Sequence, residues 1–481
     1  MAKRNSHIYK EIAAWNVEAK QEDMGRYFYK SLDIEKLLEG ERSFVIGRKG
    51  TGKTAIAQYL IKLSGHDHFA QSLSLKNFPF NTLYEKRDSS YTAPNQYVTI
   101  WKHIIYTKLL YLLCDNENID STFVDSVRKT IPRKPRDLIG RNIVKTLGRN
   151  FSLGFATLKA SMGYTQSSEP NEIDWVDRVD ALESIILDQI DNSKYFIIFD
   201  ELDEDYRHQS ILGGETQYTE LLIGLFKAVQ DVKSTFSSEK HNVNPIIFLR
   251  DDIYSIIQNH DKSKWDDRAV KLSWTKYTIQ AMVAHRISKA INPSAPAASF
   301  GKAWYRIVEQ RDIRYGWNRE KEITSYDWIT QKTFLRPRDY IRYLKICAKK
   351  AYEANDDIIR PESITTQIKN YSTEFRQEIV DEVHTLIPDI EKIFTIISRV
   401  GKTTFKQPDF TEKYETENKS DWIRPEYSAE YVMRLLFLFS IVGNHARNNV
   451  QIFRYLDPAS ELDLEKGIIV HPALQKALQL I

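Results

Sequence analysis

Short apolar runs punctuate the first half of the chain: Phe44-Val-Ile46, Ala70 to Leu75, Tyr195-Phe-Ile-Ile-Phe199, Pro245-Ile-Ile-Phe-Leu249 and Ala269-Val-Lys-Leu-Ser-Trp274. Several lack the apolar–polar alternation of a half-exposed sheet, which predicts strands buried on both faces, as in a parallel sheet. Between them apolar residues recur at helical spacing. Ile8 to Glu18, Leu32 to Leu38, Tyr97 to Leu113 and Ser121 to Thr130 read as helices, the last stopped by Pro132. In Asp174 to Ile190 a single stripe runs through Val176, Val179, Leu182, Ile185, Ile186 and Ile190. Strands alternating with helices predict an α/β fold. The interval from Thr54 to Asp200 exceeds what a bare strand–helix–strand course needs, so a helical insertion over about 76–180 is expected.

Ile279 to Ile291 continues the helical pattern and ends at Asn292-Pro-Ser-Ala-Pro-Ala-Ala-Ser299, a Pro/Ser-rich turn that closes the core. A helical lid is expected over 292–375. In 376–481 the helices Ile387 to Val400 and Ser428 to Phe439 are followed by Val450 to Tyr455, Gly467 to Val470 and a closing helix, Pro472 to Leu480. Helices followed by a two-stranded hairpin fit a winged helix-turn-helix domain, which binds DNA in some proteins and packs against protein in others. Ser428 to Phe439 offers only Arg434, with Arg447 beyond it, which favours the packing role. The division is therefore a helical leader (1–43), a core (44–291), a lid (292–375) and a winged-helix domain (376–481).

Composition narrows the class. The 481 residues are 42% hydrophobic with a formal charge of +3, an ordinary globular balance with no global field for nucleic acid. No apolar run is long enough to span a bilayer and the N-terminus lacks a signal-peptide core, so a cytoplasmic protein is expected, without a membrane partner. The two cysteines, Cys114 and Cys347, stand far apart in helical patterns and predict buried free thiols. No His-Glu-x-x-His or Cys-x-x-Cys spacing supports zinc. One stretch is locally basic: Arg128, Lys129, Arg133, Lys134, Arg136, Arg141, Lys145, Arg149 and Lys159, with Phe151, Phe155 and Tyr164 interleaved. Nucleic acid held through 128–159, a solvated face and a subunit contact all remain open for it.

The chemistry is concentrated at a few strand ends. Gly47-Arg48-Lys49-Gly50-Thr51-Gly52-Lys53-Thr54-Ala55 fits G-x-x-x-x-G-K-[ST], with an apolar strand before it and a helix after it. Glycines let backbone N–H groups curl around phosphate oxygens, and the helix aims its positive end at the anion. Lys53 is the candidate for the β- and γ-phosphates of ATP and Thr54 for Mg²⁺. The strand ending in Asp200-Glu201 has the Walker B form: Asp200 for the magnesium shell, Glu201 as the base that polarises water. Arg250, ending the strand expected between the two Walker strands, is the candidate sensor 1; a surface salt bridge with a neighbouring acid is the alternative. Arg268, just ahead of the last strand, is a candidate finger for a neighbouring subunit's nucleotide; pairing with Asp266 or Asp267 is the alternative. In Arg336-Pro-Arg338-Asp339, Pro337 suits a first helical turn and puts Arg338 at a helix N-terminus, the place of a sensor 2 that reads the γ-phosphate, with Arg336 the second choice.

Gly47 to Thr54, Ile197-Ile-Phe-Asp-Glu201, Phe248-Leu-Arg-Asp-Asp252, Arg336-Pro-Arg-Asp339 and Phe453-Arg-Tyr455 with Val470-His-Pro472 together resemble a bacterial family of P-loop ATPases in the AAA+/STAND assemblage, near its KAP and Orc/Cdc6-like branches. The resemblance spans most of the chain outside 76–180. It implies an ATP-hydrolysing switch that forms homo-oligomers, and relatives that sit in antiphage defence operons. No protease, nuclease, TIR or deaminase signature is visible, so the effector is expected to be a separate polypeptide. A DNA-translocating or remodelling motor and an ATP-binding scaffold without turnover are the competing readings.

Overall fold

The computed structural model describes residues 5–76, 83–84, 92–130, 175–205, 217–316, 318–418, 427–446, 448 and 450–481. The basic stretch beyond Lys129 and Arg447 lie outside the described residues. Two compact units are formed: Lys30–Arg48 with Lys53–Leu272, and Met1–Tyr29 with Lys49–Gly52 and Ser273–Ile481.

The first unit is built on a five-stranded parallel sheet, β1 (Phe44–Ile46), β2 (His68–Ser74), β3 (Lys194–Asp200), β4 (Asn242–Leu249) and β5 (Ala269–Lys271), in the spatial order β2-β3-β4-β1-β5. β4 thus separates the two Walker strands, as the sensor 1 reading requires. Past their first residues β3 and β4 are buried throughout, which is why their sequences show no alternation. Helices cover the sheet: Lys53–Lys62, Val98–Leu113, Trp175–Leu187 and the long Gln217–Ser238, a helix that had not been anticipated. Phe226 of that last helix stacks on Phe44 of β1 at 4.6 Å between ring centres, and Gly224 lets it meet Tyr97, whose Cβ lies 2.7 Å from where an alanine methyl would sit. Within the expected insertion, Val98–Leu113 and Ser121–Thr130 are helical as read.

In the second unit the leader helix Ser6–Ala13 is tied down by Tyr9, whose hydroxyl donates to the Ile307 carbonyl at 2.9 Å. Arg286 and Glu22 form a buried ion pair, with the Arg286 guanidinium over the rings of Trp15 and Tyr27 at 4.6 and 4.8 Å. Among the helices of 292–375 stands an antiparallel hairpin that periodicity did not signal, β6 (Ile313–Tyr315) and β7 (Lys321–Ile323), too short to alternate visibly. Beyond the helix Ile368–Val383 come helix Ile390–Val400, β8 (Thr404–Phe405), helices Gln407–Asn418 and Ala429–Leu438, β9 (Val442–His445), β10 (Gln451–Ile452) and β11 (Gly467–Val470). These strands form a four-stranded sheet ordered β10-β9-β11-β8, where a two-stranded hairpin had been expected. β9 was hidden because Gly443 and Asn444 are poor strand formers, yet each has a packing reason. Asn444 donates to the Asp463 carbonyl at 2.7 Å, and a Cβ on Gly443 would lie 2.5 Å from the Ile452 carbonyl oxygen and 2.6 Å from the Phe453 ring.

Cys114 and Cys347 are buried free thiols, and burial raises their pKa to about 11 and about 12. No helix among the described residues is long and apolar enough to cross a membrane.

The Gly443 contact makes a direct test of this packing. Gly443→Ala should cost about 1–3 kcal/mol through overpacking, read as a lower urea midpoint; an unchanged midpoint would show that β9 and β10 do not pair in this register.

Candidate active site

In the first unit, β1 and β3 deliver their chemistry at their C-terminal ends. The Lys53 ammonium folds back onto the loop, donating to the Gly47 carbonyl at 2.6 Å and the Arg48 carbonyl at 3.0 Å. Burial lowers its pKa, while the carboxylates of Asp203, Asp251 and Asp200 act against that fall. Asp200 is 5% exposed. Burial raises its pKa, opposed by the Glu201 N–H, which donates to its Oδ1 at 2.9 Å, by the Lys53 charge and by a hydrogen bond with the Thr54 side chain. Lys53 and Thr54 are therefore brought together with Asp200, far from them in sequence.

Glu201 leaves the strand with φ +60°, a left-handed conformation uncommon outside glycine that turns its side chain away from the strand course. Its carboxylate accepts a short hydrogen bond from the Ser74 hydroxyl. Ser74, the last residue of β2, is in register with Asp200. It was missed from sequence because a single serine at a strand end carries no signal until the register is known. Arg250 caps the helix Asp251–Ile256, and its guanidinium grips Asp252 through two bonds of 3.0 and 2.7 Å and Asp203 at 3.3 Å. Asp251 lies nearby, its pKa raised by burial and pulled back by Arg48 and Lys53.

Arg268 stands elsewhere. Its carbonyl accepts the Ser43 and Phe44 amides at 3.1 and 3.3 Å, which places it at the N-terminal ends of β1 and β5, opposite the Lys53–Asp200 end. Asp266 is engaged by Lys271 at 2.8 Å and the Tyr254 hydroxyl at 3.2 Å; no ion pair joins Arg268 to Asp266 or Asp267 among the described residues.

The remaining loop residues, Lys49–Gly52, belong to the second unit. Gly50 and Gly52 have φ of +84° and +107°, conformations that disfavour a side chain. A Cβ on Gly52 would enter open space, whereas one on Gly50 would press on the Arg338 side chain at 3.2 Å. The loop's carbonyls are held from outside: Arg336 donates to Lys49 O and the Trp274 indole to Thr51 O, both at 2.9 Å. Arg336 is 1% exposed and pairs with Asp339 at 2.9 Å, Glu378 at 3.4 Å and Glu382 at 3.5 Å. Burial works against its charge, and these acids more than restore it. Pro337 opens the helix Pro337–Glu353 and Arg338 sits in its first turn. The Arg338 guanidinium donates to Glu378 at 3.2 Å, and Arg342 pairs with the same carboxylate. Burial pushes the Glu378 carboxyl up, but Arg336, Arg342 and Arg338 overcome this and hold its pKa at about 2. Nothing in the sequence singled out Glu378 or Trp274.

Within the first unit the Thr54 hydroxyl beside the Asp200 carboxylate fits Mg²⁺, being the sparse protein donor set the ion takes when phosphates supply the rest. Among the described residues no cluster of three or more His, Cys, Asp or Glu could hold a metal by itself.

Comparison with known proteins adds the following. Residues 277–380 match the FunZ-associated C-terminal helical domain. The 80.3 kDa protein of transposon gamma-delta from Escherichia coli (strain K12) is 19% identical over 484 residues, covering 94% of this chain and 64% of that one, so the chain spans about two thirds of its relative's length. Similar solved structures include the Aeropyrum pernix ORC1 protein in complex with DNA (13% identity, 100% of this chain and 93% of that one, TM-score 0.37). The Aeropyrum pernix ORC2 protein in its ADPNP–ADP complexes (12%, 96% and 92%, TM-score 0.35) and Cdc6p from Pyrobaculum aerophilum (13%, 98% and 96%, TM-score 0.29) are also similar. The assignment of a P-loop α/β core rests on this chain's own sheet order and loop.

The Glu378 cluster predicts an acid limb of stability. A carboxyl held near 2 against an ordinary 4.5 contributes fully above about pH 4.5 and loses its contribution as pH falls toward 2. That contribution is on the order of 3 kcal/mol. Urea midpoints of the protein and of Glu378→Gln should therefore converge from pH 5 to pH 2; parallel curves would contradict the cluster.

Proposed function

We propose that this chain is an ATP-binding and ATP-hydrolysing switch that assembles into homo-oligomers and signals to a separate effector protein. The convergence of Lys53, Thr54 and Asp200, with Glu201 turned out beside them, carries the reading. In it Lys53 leaves the carbonyls of Gly47 and Arg48 for the β- and γ-phosphates, while the N–H groups of Gly50 to Ala55 receive the other phosphate oxygens. Thr54 and Asp200 hold Mg²⁺, which supplies charge neutralisation on the phosphates. Glu201 draws a proton from the attacking water, and Ser74 fixes the direction of its carboxylate. Arg250, paired with Asp252, serves as sensor 1 by fixing Asp203 near Lys53. Arg338 serves as sensor 2; Arg336, its donors spent on three acids and a loop carbonyl, braces the loop instead.

In this reading residues 376–481 form a winged helix used as a packing and reporting module, supported by their helix–strand–helix–helix–strand order. The exposed face of Ala429–Leu438 pairs Arg434 with Glu430 at 2.8 Å and offers phosphate no surplus charge. An antiviral setting in bacteria follows from the motif resemblance alone. A DNA-remodelling ATPase is the second reading, favoured by the transposon named in the Escherichia coli relative.

Two variants test the core of this reading. Lys53→Ala should weaken ATP binding by roughly a hundredfold or more, through loss of a charge-assisted contact and the loop geometry it fixes. Glu201→Gln should bind ATP normally and hydrolyse it about 10²–10⁴-fold more slowly. Unimpaired turnover in the second variant removes Glu201 from the mechanism, and hydrolysis that double-stranded DNA strongly stimulates at low salt but not at high salt favours the second reading. Arg268 is tested by mixing: inactive Arg268→Ala and Lys53→Ala proteins combined in exchanging oligomers should regain part of the activity, and a mixture as inactive as its parts would exclude action across subunits.

A further inference from the structure

At the end of the first unit's sheet opposite Lys53, a lysine and an arginine gather beside a glycine. Lys233, on the helix Gln217–Ser238, is half-buried, and its ammonium donates to the Asn244 side-chain oxygen at 2.5 Å. Asn244 lies near the start of β4, and its own amide donates to the Asn242 carbonyl at 3.2 Å, which commits its oxygen to the lysine. Gly40, just ahead of β1, has φ +73°, and a Cβ there would lie 2.3 Å from that oxygen and 3.0 Å from the ammonium. Only a residue without a side chain fits beside the ammonium.

Arg268 completes the group. Its carbonyl, bonded to Ser43 and Phe44, fixes its main chain at the start of β1 and β5, and its charge lies close enough to oppose that of Lys233. Burial lowers the Lys233 pKa to about 8, and the Arg268 charge adds to that fall. No acid acts against it. Among the described residues neither cation has an ion pair with a carboxylate, and the exposed Arg268 guanidinium has no hydrogen bond. Arg336 is the contrast, a buried cation surrounded by three acids. Like charges placed together without an acid destabilise each other, and an anion that joins them removes the conflict. A guanidinium offers a planar fork and an ammonium three donors, here with one spent on Asn244, a combination that suits the several oxygens of a phosphate.

We propose that Lys233 and Arg268, with Asn244 and Gly40 shaping the space around the ammonium, form a phosphate-binding site at the N-terminal ends of β1, β4 and β5. The phosphate is either free in solution or carried by a nucleotide on a second copy of the chain. Neither source requires nucleotide at Lys53 of the same copy.

The readout is trace acetylation of Lys233 by acetic anhydride at neutral pH, followed by mass spectrometry of its peptide. A phosphate that holds the proton on the amine and covers it slows the reaction. In the first arm Lys53→Ala, which lacks the loop ammonium, is titrated with inorganic phosphate; acetylation of Lys233 should slow roughly tenfold, as a rise of one pKa unit requires, with the other lysines unaffected. In the second arm isotopically labelled Lys53→Ala chain is mixed with unlabelled Glu201→Gln chain, with and without ATP. Slowing in the first arm identifies free phosphate, and slowing in the second that needs ATP identifies the nucleotide of the other copy. Arg268→Ala, an exposed substitution that leaves the packing intact, should lose the protection in whichever arm shows it. Four outcomes overturn the site: slowing in neither arm, equal slowing of all lysines, protection undiminished in Arg268→Ala, or protection by the second copy without ATP, which would mean a carboxylate of that copy. None of them touches hydrolysis at Lys53, whereas a Glu201→Gln chain that fails to bind ATP overturns the function and leaves the first arm standing.

Discussion

An ammonium and a carboxylate largely withdrawn from water, Lys53 and Asp200, constrain the architecture of the sheet. Neither is comfortable alone: burial lowers the pKa of one and raises that of the other, and each partly relieves the other's cost. The relief requires that the end of β1 and the end of β3 stay in register across β4. The depth of apolar packing under β3 and β4, buried from Tyr195 to Asp200 and from Val243 to Leu249, maintains that register. The hydrophobic core is in this sense a support for a polar site that would be unstable in a looser protein.

The same logic recurs in the second unit at larger scale. Burying Arg336 at 1% exposure is tolerable only because Asp339, Glu378, Glu382 and a loop carbonyl surround it. Such a cluster adds little net stability compared with an apolar core of the same volume, but breaking one member strands the others. Its value is geometric: it fixes the Lys49 carbonyl, and Trp274 does the same for Thr51, so the intervening peptides have little freedom to turn over.

Legibility in the sequence followed the range of the interaction. β1, β3 and β4, the helices of Val98–Leu113 and Ser121–Thr130, and the loop of Gly47 to Thr54 all announce themselves through local pattern, because burial on two faces, helical periodicity and the need for positive φ act on neighbours in the chain. β9 did not, since its glycine and asparagine are chosen by Ile452, Phe453 and Asp463 across the sheet. Ser74 and Glu378 did not either: one acquires meaning from its register with Asp200, the other from three arginines some forty residues earlier. The two free cysteines, each buried, were legible because their wide separation and apolar surroundings favoured no other role.

Strand polarity also decides what Arg268 can do. In a parallel sheet all C-terminal ends lie together, and Lys53, Asp200 and Arg250 gather there. Arg268 precedes β5 and bonds through its carbonyl to Ser43 and Phe44, at the other end. From Ser43 to Gly47 the chain advances roughly 13 Å at strand rise, about twice the length of an extended arginine side chain, and the body of the sheet fills the interval. Arg268 therefore cannot reach Lys53 and Asp200 of its own sheet. If this exposed cation takes part in hydrolysis at all, the nucleotide it meets belongs to another copy of the chain, and assembly becomes a condition of catalysis rather than an accompaniment to it.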